Sequence, residues 1–600
     1  MKSSRLPGIL GCVLLLCGWV RAYDVTSYRY GSSAGMNSQE NSLTLDSADG
    51  WDFGLMCQVP GTGRLDAAPL VKVIPPVPGK VAGKTLVIVA NEQNVLRAFD
   101  VTHVADRGFA ANAWTLALTN AGGPVPSFVT GASNSGPWTG ITTTPVLDTN
   151  GILYVLTKSI KTVNTLPVFN YSLYRINATN GTLLTWTNFA ETMVSGSAHI
   201  SRTNGAVLDP YVWGNGDGSV SMQVQVPSGK TVKTVTQQRI YFDASTQRSG
   251  SAMTMANGVL YAAFDRDGTN TPSHGWVLGF NSTNLSLVAA LNTTPCGALG
   301  GCGLSGGAPA TDPAGNLYLQ TGPGSFGGGN LTIAGFPANA CYGNCFLKLA
   351  PDSSTPAAQN PNGWGLRVAD YFSPMQNGSG TGSPMDLGTS TPLLIMSATN
   401  SQLPSLLAGI SATGTLYSMN AANMGKFNAF ADACLQSVPQ AVCSQNGATN
   451  SCVFGPLSYA KGRLFVFGGG DYGKQFLISP NGVISSFGPG LQPPYLTRTD
   501  VQTTGSNAIS GPLGCSCSLS SSAGMGTVLW VIDPTLSMLR AFRPSDLLEV
   551  WNSSQTILNN PPDSFTGALP LTVPVVANGQ VFVGTDGALQ IFGLAPATRR

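Results

Sequence analysis

The sequence predicts an all-β protein, an eight-bladed β-propeller of four-stranded antiparallel blades. Three observations predict this fold: short apolar runs rich in β-branched and aromatic residues, turn residues between them, and a repeat of this plan. The repeat reads glycine, any residue, an aliphatic residue and an aromatic residue. Its regular copies begin at Gly151, Gly258, Gly315, Gly462 and Gly579. Units repeated in this way bury both faces only against their neighbours, as propeller blades do.

The number of units reaches eight when three weaker copies are added, at residues 84–89, 406–410 and 526–530. The eighth unit lacks an obvious fourth strand. We expect residues 51–57 to supply it and to close the ring without leaving an open sheet edge. Because the repeat runs through the chain, residues 23–600 are predicted to form a single domain. Residues 200–249 and 427–453 are predicted to be loop insertions, which are natural places for binding.

The first 22 residues are predicted to be a signal peptide. Lys2 and Arg5 form a basic start, and the apolar core at 9–20 is too short to span a bilayer. The sequence from Val20 to Ala22 fits a cleavage site. Since no later run is long and apolar enough to span a membrane, the mature chain is predicted to be secreted, with a cell-wall or matrix location equally compatible.

The composition argues against a nucleic-acid partner. Only 10% of the residues are charged, the net charge is +2, and no basic stripe occurs. Abundant glycine and proline, 73 and 40 residues, fit a β-structure with many turns.

Ten cysteines remain once Cys12 and Cys17 leave with the signal peptide, and a secreted chain is expected to use them in disulfides. The pairs Cys296/Cys302 and Cys341/Cys345 could each close a small loop, and zinc is a competing interpretation of the second pair. Cys57 has no local partner. The remaining candidates share one polar loop or could pair with it: Cys434, Cys443, Cys452, Cys515 and Cys517.

Nine Asn-x-Ser/Thr sequences are candidate glycosylation sites that would mark solvent-facing turns. They begin at Asn170, Asn177, Asn180, Asn281, Asn284, Asn292, Asn330, Asn377 and Asn552.

Several stretches resemble the secreted PQQ-like (quinoprotein-type) eight-bladed β-propeller proteins. They span nearly the whole mature chain in order: residues 28–37, 53–59, 68–70, 86–100, 257–264, 274–280, 414–425 and 572–587. The resemblance implies the fold. It does not fix a function, because one fold carries many activities.

Within this resemblance, one implied function is a dehydrogenase that uses pyrroloquinoline quinone (PQQ) and calcium to oxidise an alcohol or a sugar. It needs an axial pocket with a tryptophan floor, a Ca²⁺ ion and a basic carboxylate. The large alcohol dehydrogenases also have two adjacent cysteines over the cofactor. This chain has no adjacent cysteine pair, and no Cys-x-x-Cys-His haem site.

The residues that could serve such a site lie between 265 and 276. Asp265, Asp267 and Asn270 have the oxygen spacing of a calcium loop, and Asp267 could also act as the base. His274 could transfer a proton, and Trp276 could contact the quinone. The structural alternatives are a plain inter-strand loop, a histidine bonded to loop carbonyls, and inter-blade packing. Packing is also expected of Trp51, Trp186, Trp530 and Trp551.

The competing hypothesis, which we favour, is an extracellular binding or scaffold propeller for a glycan, matrix polymer or protein. Low charge, dense turns, disulfides and glycosylation fit that hypothesis. An axis filled by chain would favour the scaffold, whereas a tryptophan lying flat across an axial cavity with converging oxygens would favour the dehydrogenase.

Overall fold

Short antiparallel strands form most of the structure, which is a computed structural model. The three α-helices in the described residues are one turn long, at Leu45–Ala48, Val104–Arg107 and Ser127–Thr130. Short 3₁₀ turns occupy Tyr28–Tyr30, Leu304–Gly306 and Met375–Ser379. The structure describes residues 22–31, 35–50, 52–78, 82–130, 136–201, 210–215, 221–228, 231–266, 273–357, 359–379, 385–396, 405–443, 452–453, 455–469, 471, 473–485, 516–522, 526–555 and 563–594.

The strands form successive four-stranded antiparallel units, numbered here as sheets in chain order, and the last strands of sheets 3 and 4 also pair with each other at Ala290–Leu291 and Gly363–Trp364. Sheet 1 contains Leu70–Ile74, Lys84–Ala90, Val95–Asp100 and Ala111–Ala117. Sheet 2 contains Val146–Leu147, Ile152–Val163, Leu166–Asn177 and Leu183–Ser195, with Gly123–Pro124 and Ala198–Ser201 added at its edges. Sheet 3 contains Thr254–Ala256, Val259–Arg266, Trp276–Asn281 and Leu287–Asn292, and Gln247–Arg248 also pairs with its second strand. Sheet 4 contains Ala310–Thr311, Leu317–Gln320, Phe346–Asp352 and Gly363–Ser373, with Lys426–Phe427 parallel to the last of these.

Sheets 5 to 8 follow the same plan. Sheet 5 contains Leu393–Ile395, Leu406–Ile410, Leu416–Asn420 and Gln436–Val438. Sheet 6 contains Ser458–Ala460, Arg463–Phe467, Gly473–Ile478 and Ile484–Ser485. Sheet 7 contains Cys517–Ser522, Gly526–Asp533, Met538–Arg543 and Leu548–Asn552, with Met36–Asn37 parallel to the first. Sheet 8 contains Val575–Ala577, Gln580–Gly584 and Asp586–Leu594, and its fourth strand is Phe53–Arg64 from the beginning of the chain.

The sequence repeat marks the second strand of the sheets. The copies at Gly151, Gly258 and Gly579 immediately precede the second strands of sheets 2, 3 and 8. Each of these glycines has a positive φ, near +78°. A turn residue with this conformation favours glycine, because a side chain would be strained there. This requirement explains why the glycine recurs where the chain reverses from the first strand into the second.

Hydrophobic cores lie between successive sheets, so each sheet is covered on both faces. Tyr154, Phe169 and Trp276 belong to the core between sheets 2 and 3. Equivalent cores lie between sheets 1 and 2 and between each later sheet and the next one. A further core lies between sheet 8 and sheet 1. Burial on both faces explains why the strands are apolar runs rather than alternating sequences.

A separate three-stranded sheet, the insert sheet, occupies part of the predicted insertion between sheets 2 and 3. It contains Tyr211–Gly214, Ser221–Ser228 and Thr231–Tyr241, with the last strand in the middle. The Trp364 indole of sheet 4 donates a hydrogen bond to the Tyr211 carbonyl (3.1 Å), which fixes the insert sheet against sheet 4.

Two of the nine glycosylation candidates are not in solvent-facing turns. Asn170 and Asn292 lie in strands and are completely buried. The Asn170 amide donates to the Ala121 carbonyl (3.2 Å), so its nitrogen is committed inside the fold. The expectation of an exposed turn is therefore wrong for these two residues. Glycosylation at the other seven stays a prediction.

One disulfide is formed in the described residues, between Cys443 and Cys452 in the predicted cysteine-rich loop. Cys296, Cys302, Cys341 and Cys345 are thiols in this structure, so the two local pairs stay predictions. Cys434 and Cys517 are thiols as well, and the Cys517 sulfur contacts the Ser458 hydroxyl of sheet 6 (3.1 Å). Cys515 lies outside the described residues.

Candidate functional site

The axis of the propeller is lined by the first strands of the sheets, which contact one another in order from sheet 3 to sheet 8. The N-terminal segment, described over residues 22–31 and 35–43, enters this space. Val25 pairs with Val71 of sheet 1 through two backbone hydrogen bonds of 2.9 and 3.1 Å. The Leu147 backbone of sheet 2 donates to the Thr26 carbonyl (2.7 Å). The segment thus binds the first strands of neighbouring sheets.

The same segment also contacts sheets 6 to 8. Arg29 is buried and its Nη2 donates to the Leu457 carbonyl at the start of sheet 6 (2.8 Å). Met36–Asn37 adds a parallel strand to the first strand of sheet 7. Asn37 Nδ2 donates to the Val576 carbonyl of sheet 8 (2.7 Å), and the Val576 amide donates to the Tyr30 hydroxyl (2.7 Å). Contacts to five sheets place this segment at the axis.

Little space is left beside the segment. The cavity between it and the beginnings of sheets 3 to 6 has a volume of about 50 Å³. Tyr28, Arg29 and Gly35 line one side, and Met253, Pro309 and Pro392 line the other. A volume of this size holds one or two water molecules. Sites for small organic ligands are roughly 300 Å³ or larger.

This geometry does not fit a bound quinone. No tryptophan lines the axial cavity. Trp276, the predicted contact to the quinone, is completely buried between sheets 2 and 3, where it packs edge-on against Phe242 at 5.8 Å. Trp530 and Trp551 pack around Phe53 between sheets 7 and 8. The tryptophans singled out in the described sequence are therefore packing residues, apart from Trp186, which stacks on Tyr174 with 37% of its surface exposed.

His274 contacts the loop that leads into sheet 4. Its Nδ1 lies 3.1 Å from both the carbonyl and the hydroxyl of Thr294, and its backbone bridges to Leu299. These contacts match the structural interpretation, a histidine that holds a loop carbonyl. Its predicted neighbours Asp267 and Asn270 lie outside the described residues, so their part in a calcium loop stays a prediction.

Asp265 approaches another carboxylate that the sequence did not single out. It lies on the second strand of sheet 3, beside Gly303, where an added Cβ would come within 2.7 Å of its Oδ2. Asp386 lies in the connection to sheet 5, and its Oδ1 accepts a hydrogen bond from the Gly388 amide (2.8 Å). Burial, together with the negative charge of Asp265, raises the pKa of Asp386 to about 6. Two acids alone do not define a metal site, and no group of three metal-binding side chains occurs among the described residues.

Replacing Asp386 with asparagine is expected to change how stability depends on pH. A carboxyl whose pKa is higher in the folded state binds its proton more tightly there, so its contribution is favourable below about pH 4 and is lost as the pH rises through 6. Asp386→Asn should therefore raise the free energy of unfolding at pH 8 by about 2 kcal/mol and leave it nearly unchanged at pH 4. Guanidinium unfolding between pH 4 and 8 measures this. The exposed Asp46→Asn variant is the control, and an equal pH dependence in Asp386→Asn and the wild type would contradict the prediction.

A second pair of acids was also missed by the sequence. Glu92 is buried at the end of sheet 1, with Asp66 close by. Arg64 Nε lies 3.1 Å from Asp66 and 3.3 Å from Glu92. Burial and the neighbouring Asp66 raise the pKa of Glu92 to about 9, so it is protonated at neutral pH. Arg64 then balances the single negative charge of Asp66, and we interpret these three residues as a structural cluster.

Ser245, His199 and Asp243 meet beside the insert sheet. His199 Nδ1 lies 2.6 Å from Asp243 Oδ2 and 2.9 Å from Ser245 Oγ. Burial opposes ionisation of Asp243, but hydrogen bonds from His199 and Ser245 hold its pKa below the usual value. In a catalytic triad the serine and the aspartate bind opposite ring nitrogens. Here both contact Nδ1, so the cluster anchors the insert rather than activating the serine.

The larger cavities lie beside the insert sheet. One has a volume of about 500 Å³ and lies between this sheet and the loop from Thr321 to Cys345. Its walls carry four amide side chains, one lysine and one phenylalanine: Asn215, Gln237, Asn330, Asn339, Lys233 and Phe326. An adjoining cavity of about 530 Å³ is more apolar and includes Ile333, Phe336 and Tyr342. Both include Pro361, and we call them together the insert groove.

The disulfide loop is held by a buried ion pair. Lys474 Nζ and Asp471 Oδ2 are 2.8 Å apart, and both side chains are completely buried. Asp471 accepts a hydrogen bond from the Cys443 amide (2.6 Å), and Lys474 donates to the Ala441 carbonyl (3.3 Å). These contacts join the loop to sheet 6.

Comparison with known proteins identifies the fold as a quinoprotein-type β-propeller. The structure is similar to quinohemoprotein alcohol dehydrogenase ADHIIG from Pseudomonas putida HK5, with a TM-score of 0.52 and 10% identity over 96% of this chain and 81% of that one. It is also similar to quinohemoprotein alcohol dehydrogenase from Comamonas testosteroni, with a TM-score of 0.51 and 11% identity over the same shares.

Comparison of the amino-acid sequence alone gives no match to relatives of this kind. No protein-family profile matches it, and no curated protein matches it. At 10–11% identity the structural similarity shows the fold and not the activity. None of the helices in the described part of the chain is long and apolar enough to cross a membrane.

Proposed function

We propose that this protein is a secreted β-propeller that binds an extracellular ligand, a glycan or matrix polymer, through the insert groove. The observation that carries the proposal is the position of the N-terminal segment. Because the described part of this segment lies at the axis, and the described residues leave a cavity of only about 50 Å³ beside it, little room for a ligand remains there. Each of the two cavities of the insert groove has about ten times that volume.

The proposal includes the finer architecture. The sheets are the eight blades of one ring, and Phe53–Arg64 closes it. The pairing of this strand with Asp586–Leu594 and the core between sheets 8 and 1 support closure. The Cys443–Cys452 disulfide supports export to an oxidising compartment. Residues 1–21 of the proposed signal peptide lie outside the described residues, and only its last residue, Ala22, is described.

The lining of the insert groove supports a neutral polar ligand. Asn215, Gln237 and Asn339 offer both donors and acceptors, and Phe326 offers an apolar face. Among the described residues that line this first cavity, Lys233 is the only charged one. Sugars combine hydroxyl groups with apolar ring faces, so amides beside an aromatic ring suit them. A protein ligand is the alternative occupant.

The binding test uses the purified secreted protein and a panel of neutral oligosaccharides and matrix polysaccharides. Titration calorimetry should detect a ligand whose affinity falls at least about tenfold in the variant Asn215→Ala/Lys233→Ala, since two direct contacts are lost. Gln223→Ala is the matched control, because Gln223 belongs to the same insert sheet but does not line the cavity. Equal affinity in both variants would remove the groove as the site, and no binding to any glycan would remove this ligand class.

The second candidate is a PQQ- and calcium-dependent alcohol or sugar dehydrogenase. The similarity to two quinohemoprotein alcohol dehydrogenases supports it, and the filled axis opposes it. Tryptophan fluorescence titrated with PQQ, with and without Ca²⁺, separates the two. We expect no saturable quenching. Calcium-dependent saturation together with dye reduction by an alcohol or sugar would establish the enzyme instead.

A further inference from the structure

Four cysteines lie in two neighbouring connections of sheets 3 and 4. Cys296 and Cys302 belong to the connection from sheet 3 to sheet 4. Cys341 and Cys345 belong to the connection between the second and third strands of sheet 4. Sequence spacing favours two local pairs. The structure arranges the four sulfurs differently.

Backbone hydrogen bonds hold the two connections side by side. The Tyr342 amide donates to the Thr293 carbonyl (2.9 Å). On the other side of Cys296, the Ser325 amide donates to the Ala298 carbonyl (3.0 Å), and the Ser325 hydroxyl accepts from the Ala298 amide (3.0 Å). Cys296 therefore lies between Thr293 and Ala298, whose backbones are both fixed by hydrogen bonds. The partner of Thr293 is Tyr342, which is adjacent to Cys341.

The Cys341 sulfur lies against the backbone of the first connection. A Cβ on Gly297 would be 3.1 Å from Cys341 Sγ. The Cys296 backbone N–H faces the same sulfur, which slightly offsets the effect of burial on this thiol. A disulfide requires two cysteines on backbone segments that lie side by side, and rotation about χ1 then turns the sulfur atoms toward each other.

Cys302 and Cys345, which are the near neighbours of Cys296 and Cys341 in sequence, contact other groups. The Cys302 sulfur faces the Gly300 carbonyl (3.9 Å), and Asp265 is the charged group near it. The Cys345 sulfur faces the Gly343 carbonyl (3.4 Å), near Ser373. Both of these cysteines are completely buried in the core between sheets 3 and 4. Cys296 and Cys341 are thus the two sulfurs that the connections bring together.

We propose that Cys296 and Cys341 form a disulfide in the exported protein, cross-linking the connection into sheet 4 to the loop that forms one wall of the insert groove. The two thiols lose two protons and two electrons, and the S–S bond forms. A disulfide oxidant such as oxidised glutathione accepts them and leaves as two thiols. The proposal does not depend on a ligand in the groove, although Cys296 lines it.

The bond is expected to form while the chain folds. Burial raises the pKa of Cys341 to about 12 and also raises that of Cys296. Thiolates react and thiols do not, so the folded, reduced pair is slow to oxidise. Cys296 keeps partial solvent exposure and would be the first to form the mixed disulfide.

Peptide mapping without reduction tests the pairing on the full-length secreted protein after N-ethylmaleimide blocking and glycan removal. Trypsin cannot decide, because residues 267–348 contain no lysine or arginine before Lys348. Chymotrypsin cuts after Leu299 and Tyr342 and so separates all four cysteines. We expect peptide 292–299 linked to peptide 332–342, because the Phe336–Pro337 bond is not cut, and the linked product should be lighter than the sum of the reduced peptides by two hydrogen atoms. A link between 296 and 302 or between 341 and 345, or N-ethylmaleimide on Cys296 and Cys341, would overturn the proposal.

Variants give a second readout. Cys296→Ser and Cys341→Ser should each lower the melting temperature by about 2–4 °C, because a loop of this length is no longer closed in the unfolded chain. The double variant should fall no further than either single variant. Additive effects, or an unchanged melting temperature, would contradict a bond between these two residues.

Discussion

Replacing Lys474 with methionine is expected to lower the free energy of unfolding by about 3–5 kcal/mol, the cost of leaving a buried charge without its partner. Lys474 and Asp471 are completely buried 2.8 Å apart, so the variant removes the cation of a buried ion pair. The Ala441 carbonyl would lose a donor as well. Guanidinium unfolding at neutral pH measures the effect, with hydrogen exchange of residues 436–443 as the local readout.

A double variant separates the lost pair from lost packing. Asp471→Asn with Lys474→Met removes both charges and keeps an acceptor for the Cys443 amide. It should recover roughly half of the loss, because no unpaired charge remains. Arg543→Met breaks an ion pair between half-exposed side chains and should leave stability almost unchanged. A double variant as unstable as Lys474→Met would show that packing, and not charge, causes the effect.

The variant Gly35→Ala is expected to destabilise the protein by about 3–5 kcal/mol, for two separate reasons. Gly35 has φ +76°, a conformation that costs an alanine roughly 1–2 kcal/mol. The new methyl group would also lie 2.5 Å from Arg29 Cζ and 2.7 Å from its Nε. Arg29 must then move away from the Leu457 carbonyl, which breaks a buried charged hydrogen bond.

The chain contains a matched control for the first reason. Gly61 has φ +71°, and an added Cβ would meet nothing within 4 Å. Gly61→Ala should therefore cost only the backbone strain. The difference in unfolding free energy between the two variants measures the contacts that Arg29 makes in the N-terminal segment. Faster hydrogen exchange at residues 23–31 should accompany Gly35→Ala alone. Equal losses in both variants would mean that Arg29 does not hold the axis.

The blades were predictable because their signals are local. A glycine with positive φ at Gly151 or Gly258 and the apolar strand after it lie within a few residues of each other. The position of the N-terminal segment was not predictable. Met36–Asn37 is a two-residue strand whose partner, Leu519–Ser520, lies far along the chain, and only the folded ring brings them together. The arginine that binds there has no acidic neighbour in sequence to reveal it.

The candidate site was also predictable only in part. For His274 the sequence left two interpretations open, a proton carrier and a loop-holding residue, and its contacts to Thr294 match the second. Asp386 was missed, because its pKa is set by burial and by Asp265, more than a hundred residues away. A signal existed in the composition: only 28 acidic residues occur, so each one within an apolar or glycine-rich stretch could be examined for burial.

The strand Phe53–Arg64 runs antiparallel to Asp586–Leu594, with Phe53 opposite Leu594 and Arg64 opposite Asp586. Both ends of the polypeptide therefore leave this ladder on the same side. Tension applied between the two ends would load the hydrogen-bonded residue pairs of this ladder one after another, starting at Phe53 and Leu594. Shear across the whole ladder, which would load all pairs together, does not arise in this geometry. A pull on the N-terminus would therefore break the contacts of Val25 and Arg29 first and would then load the pairs between Phe53–Arg64 and Asp586–Leu594 one at a time.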